Sequence, residues 1–558
     1  MDIVFPEGPE CTHISRTAAG QLPHAVWRTA RSAAAFLRVL TLAVMVSGSA
    51  LATDVVTYHN DNGRTGQNLQ ETILTLSNVK SSSFGKLFNM PVDGVIDAEP
   101  LYLSSVSIPG QGTHNVLYAV TENDSVYAFD ADNGSVLWQV SLLGSGESAS
   151  DDHGCGQITP QIGITSTPVI DRKIGTNGTI YTVAMSKNSN GNYFQRIHAL
   201  DITTGQEEFG GPTTVAARFK GTGDNSHNGY VIFDPAQYAE RQGLLLLNGV
   251  IYTGWTSHCD QRPYTGWLIG YDARTLKRTT VLNVTPNGSE GSIWQAGSGM
   301  ASDGNNIYFL DANGDFDTHL NSRGFPKNGD YGNAFMKLST NGGKLRVADY
   351  FNMYNTVQES DSDEDLGSGG AMLLPAMKDS KNKTWHLAIG AGKDSNIYLV
   401  NRNNLGKFSP KNDKAIYQEI DGALPGGIWS MPAYFNGSVY FGPESYNLLQ
   451  YTFSQAKLGT TPASSSAASF AYPGSTPGIS ADQTQNGIVW AIEHSGGPDV
   501  LHAYDASNLQ HELYNSNQAT GGRDHFGSAS HFGTPMIVNG KVYVGTSNSV
   551  TAFGLLGK

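Results

Sequence analysis

The stretch VLYAVTENDSVYAFDADNGSVLWQV, Val116 to Val140, reads as three short strands joined by two turns. An apolar run with Tyr118 meets a polar break, a second apolar strand closes on Asp130, and Asn133-Gly134 turns the chain into a third strand. Fainter copies begin near Ile180, Ile251, Ile307, Leu387, Val439, Val489 and Val542, at intervals of roughly 50 to 80 residues. A repeat of that length, made of short strands, predicts an all-β propeller of eight four-stranded antiparallel blades. Side chains far apart in the chain would then meet at the shared axis.

Working outward in that register, Ser166 to Ile170 is expected as an inner strand, followed by Thr179 to Ala184, Arg196 to Asp201 and a rim strand Glu207-Glu208-Phe209. Thr203-Thr204-Gly205 supplies the tight turn before the rim. The segment GTPMIVNGKVYVGTSNSVTAFGLL offers three strands of a last blade. Gly85 to Met90 has the pattern of the missing rim strand, so residues 84–93 are expected to complete that blade and remove an open edge. The expected organisation is a leader over 1–52, an extended segment over 53–83 and one propeller over 84–558. Asp151 to Ile162, Gly210 to Ala239, Thr318 to Asp330, Asn355 to Leu366 and Ser464 to Ser469 read as loop insertions, where binding residues tend to sit.

Composition narrows the function classes. With 15% charged residues, 65 Gly and 25 Tyr in 558 residues, the chain suits many turns between twisted strands, not long surface helices or disorder. The net charge is −14, and the leader contributes four Arg against one Asp and two Glu. A field of that sign disfavours nucleic acid and anionic membrane surfaces as partners. Arg28, Arg31 and Arg38 precede the apolar stretch Val39 to Val46, and Ala50-Leu51-Ala52 gives small residues where a signal peptidase reads. Export to the periplasm or medium is expected, with cleavage after Ala52 and no membrane span remaining. Cys11 leaves with the leader; Cys155 and Cys259 then either pair as a disulfide or act as isolated thiol ligands.

The phrases NDNGRTGQNLQETILTLSNV and VYAFDADNGSVLW resemble the pyrroloquinoline-quinone-type propellers, the fold of the quinoprotein alcohol dehydrogenases, over nearly the whole chain after the leader. GITSTPVID, GWLIGYDA, DLGSGG and GKVYVGT look more like a group of exported bacterial proteins carrying such repeats. The resemblance implies roles for particular residues. In GAGKDSNIYLVNR, Lys393 takes the place of the basic residue that touches the quinone carbonyls. In LDANGDFD, Asn313 falls where an Asn ligates calcium, and Asp260 stands near the position of the calcium-binding Glu. Asp363 or Asp365, before LGSGG, matches the catalytic Asp. Trp294 in GSIWQAGSG and Trp429 in GGIWSMPA either stack on a flat ligand or fill the core between blades. The departures are specific: Cys155 is followed by Gly156, not a second Cys, Ala312 precedes Asn313, and there is no Cys-x-x-Cys-His for attached haem.

The chemistry needs these residue types. Hydride abstraction from an alcohol needs a base at the hydroxyl and a polarised acceptor, which a divalent cation held by carboxylate and amide oxygens, or a Lys, can supply. Each residue also has a plain structural reading: Lys393 and Asn313-Gly314 as turn residues, Asp260 as a loop cap, and Asp361 to Asp365 as a solvated loop. His258, His525 and His531 could meet on the axis around a transition metal, although no local spacing supports it. No G-x-S-x-G or phosphate-cradling loop is present, which argues against serine hydrolase and nucleotide chemistry. The readings are therefore an exported oxidoreductase using pyrroloquinoline quinone and calcium on an alcohol, sugar or other small molecule; a cofactor-free propeller that binds an envelope protein or polysaccharide; and a glycan lyase or hydrolase using axial carboxylates.

Overall fold

The computed structural model describes residues 53–494 and 497–557; the leader expected over residues 1–52 lies outside the described residues. In the opening repeat, Ser125–Asp130 pairs antiparallel with Gly112–Val120 on one side and Val136–Ser141 on the other. All six of its residues are buried, because sheets pack on both of its faces. Asp130 ends the strand: its carboxylate accepts the N–H of Asp132 at 2.8 Å, while the Gly134 N–H returns to the Asp130 carbonyl at 2.8 Å. Gly134 has φ +78°, which a β-carbon would disfavour. Asp201, Asp272, Asn401 and Asp505 cap later turns in the same way. The recurring Asp of the sequence phrase is thus a turn cap.

Eight of the described sheets contain four or more strands. Their second strands start at Gly112, Thr179, Val250, Asn306, Leu387, Ser438, Gln485 and Lys541, where the repeat copies were read. Each sheet packs on the next through one apolar cluster or another. A second-strand Tyr recurs as a staple, donating to the carbonyl just after the neighbour's capping Asp: Tyr118 to Ile202, Tyr181 to Ala273, and Tyr440 to Ala506. The last such contact, Tyr543 to Ala131, joins the final sheet to the first. The final sheet takes Phe84–Pro91 as its outer strand, antiparallel to Ser549–Leu555.

Several expectations change. The rim of the second sheet is Thr213–Thr214, and Glu207 contributes only an isolated bridge to Leu200. The inner strand there is Val169–Asp171, shorter than expected because Pro168 lacks a donor. Ser464–Phe470 is not a loop but the outer strand of its sheet. Within the insertion 210–239, residues 218–232 form a separate three-stranded sheet, and the insertion at 355–366 contains a short helix, Thr356–Asp361. Cys155 and Cys259 form a disulfide with Cα atoms 5.5 Å apart. Among the described residues no helix is long and apolar enough to cross a membrane.

A meander alternates strand direction, so the loops joining second to third strands and the loops entering first strands gather at the same end of every sheet. That topology positions the candidate site.

Candidate active site

One cavity is lined by Gln157, Arg241, Asp260, Trp294, Ala296, Asp365, Ser368, Lys393, Trp429 and Phe532. Asp260 and Lys393 lie on loops between second and third strands; the others lie on loops entering first strands. Five of the residues singled out from sequence, Asp260, Asp365, Lys393, Trp294 and Trp429, thus face one space, and the remaining two join them through hydrogen bonds.

Lys393 follows the strand Leu387–Gly390 and is held at both ends. Its backbone N–H donates to the Asp365 carbonyl at 2.9 Å, while Nζ lies 2.5 Å from Asp365 Oδ2 and 2.7 Å from Asp363 Oδ1. Asn313, on the adjacent sheet, donates its backbone N–H to Asp365 Oδ1 at 2.6 Å and its side-chain amide to Asp363 Oδ1 at 3.0 Å. The glycines of the two motifs permit this packing: a β-carbon on Gly392 would lie 2.3 Å from the Asp365 carbonyl oxygen, and one on Gly367 2.3 Å from the Asp311 backbone. Burial pushes the Asp365 carboxyl up to about 6, although Lys393 and the Asn313 N–H favour its charge. Burial opposes the charge on Lys393, but the two carboxylates outweigh it and hold its pKa above the ordinary lysine value.

On the opposite wall, Asp260 Oδ1 accepts from the Tyr264 hydroxyl at 2.8 Å and from the Trp294 indole at 3.4 Å. Trp294 lies under Arg241, whose guanidinium carbon is 4.8 Å from the indole centroid and 3.9 Å from that of Phe532. Arg241 Nη1 donates to Gln157 at 2.9 Å, and burial pulls its pKa down to about 10. Trp429 meets Tyr472 edge-on at 5.6 Å, so this indole serves the cavity wall and not an inter-sheet core. Cys259, Asp260, Gln295, Ala296 and Asp363 all have positive φ.

Sequence reading missed Arg241, Phe532 and Gln157. None sits in a repeat phrase; the signal available for Arg241 and Phe532 was their place just before a first strand, and for Gln157 its place in the loop insertion Asp151 to Ile162. Of the three histidines, His258 stacks on His153 with centroids 4.0 Å apart, and His531 packs on Tyr472 and His494. Among the described residues no group of three or more His, Cys, Asp or Glu side chains is arranged to hold a metal ion, so the axial histidine site is not formed.

Compared with known proteins, the chain matches no family model and no curated protein sequence. Its fold does match solved structures. It is similar to the quinohemoprotein alcohol dehydrogenase of Comamonas testosteroni, with a TM-score of 0.60 and 17% identity over 91% of this chain and 81% of that one. The quinohemoprotein alcohol dehydrogenase ADHIIG of Pseudomonas putida gives a TM-score of 0.57 at 15% identity, covering 91% and 81%. A europium-containing methanol dehydrogenase gives 0.58 at 13% identity, covering 90% and 98%. The chain therefore has the fold of the quinoprotein alcohol dehydrogenases.

Proposed function

We propose that this protein is an exported, quinoprotein-like oxidoreductase, built as a closed eight-bladed propeller, acting on an alcohol or sugar at the axial cavity. The observation that carries this reading is the Asp365–Lys393 pair, which faces the same cavity as two tryptophans and lies on the end of the sheets where the loops converge. The whole-chain likeness in fold supports it.

Pyrroloquinoline quinone is the proposed cofactor. Lys393, Trp294 and Trp429 would hold it: the indoles offer flat apolar faces and the ammonium complements carbonyl oxygens. When bound, the quinone would supply the two-electron acceptor. Calcium does not fit the donor set. Asn313 Oδ1 is buried without a partner, as a ligand oxygen would be, but the carboxylates beside it are both engaged by the Lys393 ammonium. Asp260, expected as a further ligand, is turned to Tyr264 and Trp294, and among the described residues no group of three or more His, Cys, Asp or Glu side chains could hold a metal ion.

Asp365 is the proposed base. With its pKa near 6 it is ionised at neutral pH, and a carboxylate of that strength takes a hydroxyl proton more readily than an ordinary surface Asp. Asn313 fixes one carboxylate oxygen and Lys393 the other. Lys393 stabilises negative charge that develops nearby, and Asp363 keeps that lysine aligned. The test is turnover of an alcohol and sugar panel by the mature chain loaded with the quinone, read with an artificial electron acceptor. Asp365→Asn should abolish turnover in protein that still folds, as judged by a cooperative melt; unchanged turnover in that variant would remove Asp365 from the reaction.

A cofactor-free binding propeller is the second reading. It is favoured by the guanidinium of Arg241, which already stacks on the Trp294 ring.

A further inference from the structure

Arg241 is a charged group placed where charge is costly. Only 2% of the residue is exposed, and Nη2 is buried without a hydrogen-bond partner. Asp97 and Glu122 are close enough to favour its charge, yet neither hydrogen-bonds to it. Stacking between Trp294 and Phe532 positions the guanidinium, and Gln157 accepts from Nη1 at 2.9 Å, which leaves Nη2 as the unsatisfied end. A buried guanidinium left in this way calls for an anionic partner, and its planar fork matches a carboxylate. The cavity it lines also presents Trp429, suited to the apolar face of a sugar ring, and Gln157, Asp260 and Ser368, suited to hydroxyl groups.

We propose that Arg241 is a carboxylate receptor and that the ligand of the axial cavity is an acidic sugar of the uronate type. The substrate class rests on the oxidoreductase reading above, whereas binding of the acidic sugar does not.

The test compares galacturonate, its methyl ester and galactose as ligands of the mature wild-type chain, by calorimetric titration and thermal shift. Galacturonate should bind at least about tenfold more tightly than the ester or galactose. That preference should be lost in Arg241→Gln and partly kept in Arg241→Lys, which retains charge but not the fork. Because Nη2 is unsatisfied without ligand, the ligand-free Arg241→Gln protein should melt no lower than wild type. Equal binding of the three sugars, or a preference that survives Arg241→Gln, would overturn the proposal. The ester comparison decides it even if the variant fails to fold. A parallel titration with pyrroloquinoline quinone, which is itself a carboxylate, separates the two possible sources: quinone binding lost in Arg241→Gln with no uronate binding assigns the receptor to the cofactor and refutes the sugar. Uronate preference without any quinone binding sustains the proposal and removes the oxidoreductase reading.

Discussion

Replacing Lys393 with Met should destabilise the protein in a pH-dependent way. The Lys393 side chain is 16% exposed and that of Asp365 8%, so theirs is a buried ion pair; Asp363 is 71% exposed and contributes little. Removing one partner of a buried pair costs about 3–5 kcal/mol, because a charge is left without compensation. Partial exposure of the lysine places this site near the lower end, about 3 kcal/mol. A folded region of some 500 residues has a large unfolding entropy, so that loss corresponds to roughly 3 °C in Tm. The cost applies only while Asp365 is ionised. Its pKa is near 6 in the native protein and rises further without the lysine, so at pH 5 the carboxyl is neutral and most of the loss should vanish. Calorimetry of wild type and Lys393→Met at pH 5 and pH 8 measures this directly. Lys393→Met combined with Asp365→Asn should recover most of the stability at pH 8, whereas Asp363→Asn alone should shift stability by less than about 1 kcal/mol. An equal loss at both pH values would show that Lys393 contributes through packing alone, and the charge argument would fail.

Other outcomes follow from the same structure. Glu99, Glu240 and Glu359 are each pushed up to about 8, chiefly by burial, so the folded state holds protons that the unfolded state has already released near pH 7. Stability should therefore fall as pH rises from 6.5 to 8.5, and a Tm that is flat or rising across that window would contradict the burial of these groups. Trp138 packs against the next sheet and donates its indole N–H to the Ile202 carbonyl at 3.1 Å, so Trp138→Ala should cost about 2–4 kcal/mol in denaturant titration without altering ligand affinity of the folded fraction. Deleting residues 53–91 removes the strand Phe84–Pro91 and should leave a chain that aggregates or melts well below wild type in light scattering and calorimetry. A truncated chain that melts at the wild-type temperature would refute closure by that strand.

The repeat was legible because the turns impose it: a strand-ending Asp or Asn that caps its turn recurs along the chain, and a Tyr reaching the neighbouring sheet recurs at four of the seams. The closing strand was legible for a similar reason, since Gly85 to Met90 carries a rim pattern with no partner nearby in sequence. Strand limits were less so, because Ser464–Phe470 is rich in Ser and Ala and gains its pairing from Tyr446–Ser454 and not from its own propensity. In the site, Asp363, Asp365, Asn313 and Lys393 were nameable only through the resemblance to the quinoprotein propellers, since by themselves they read as turn residues and a solvated loop. Arg241 and Phe532 were not, since each is a single residue in a connecting loop with no periodic pattern around it. Only the alternation of strand direction, which gathers those loops at one end, brings them to the cavity.

The most direct test is a calorimetric titration of pyrroloquinoline quinone into the chain of residues 53–558, with Trp294→Ala and Lys393→Met alongside. Wild type should bind one equivalent, and each variant should bind at least about tenfold more weakly. No heat at millimolar quinone, or binding that both substitutions leave unchanged, would contradict an axial quinone site.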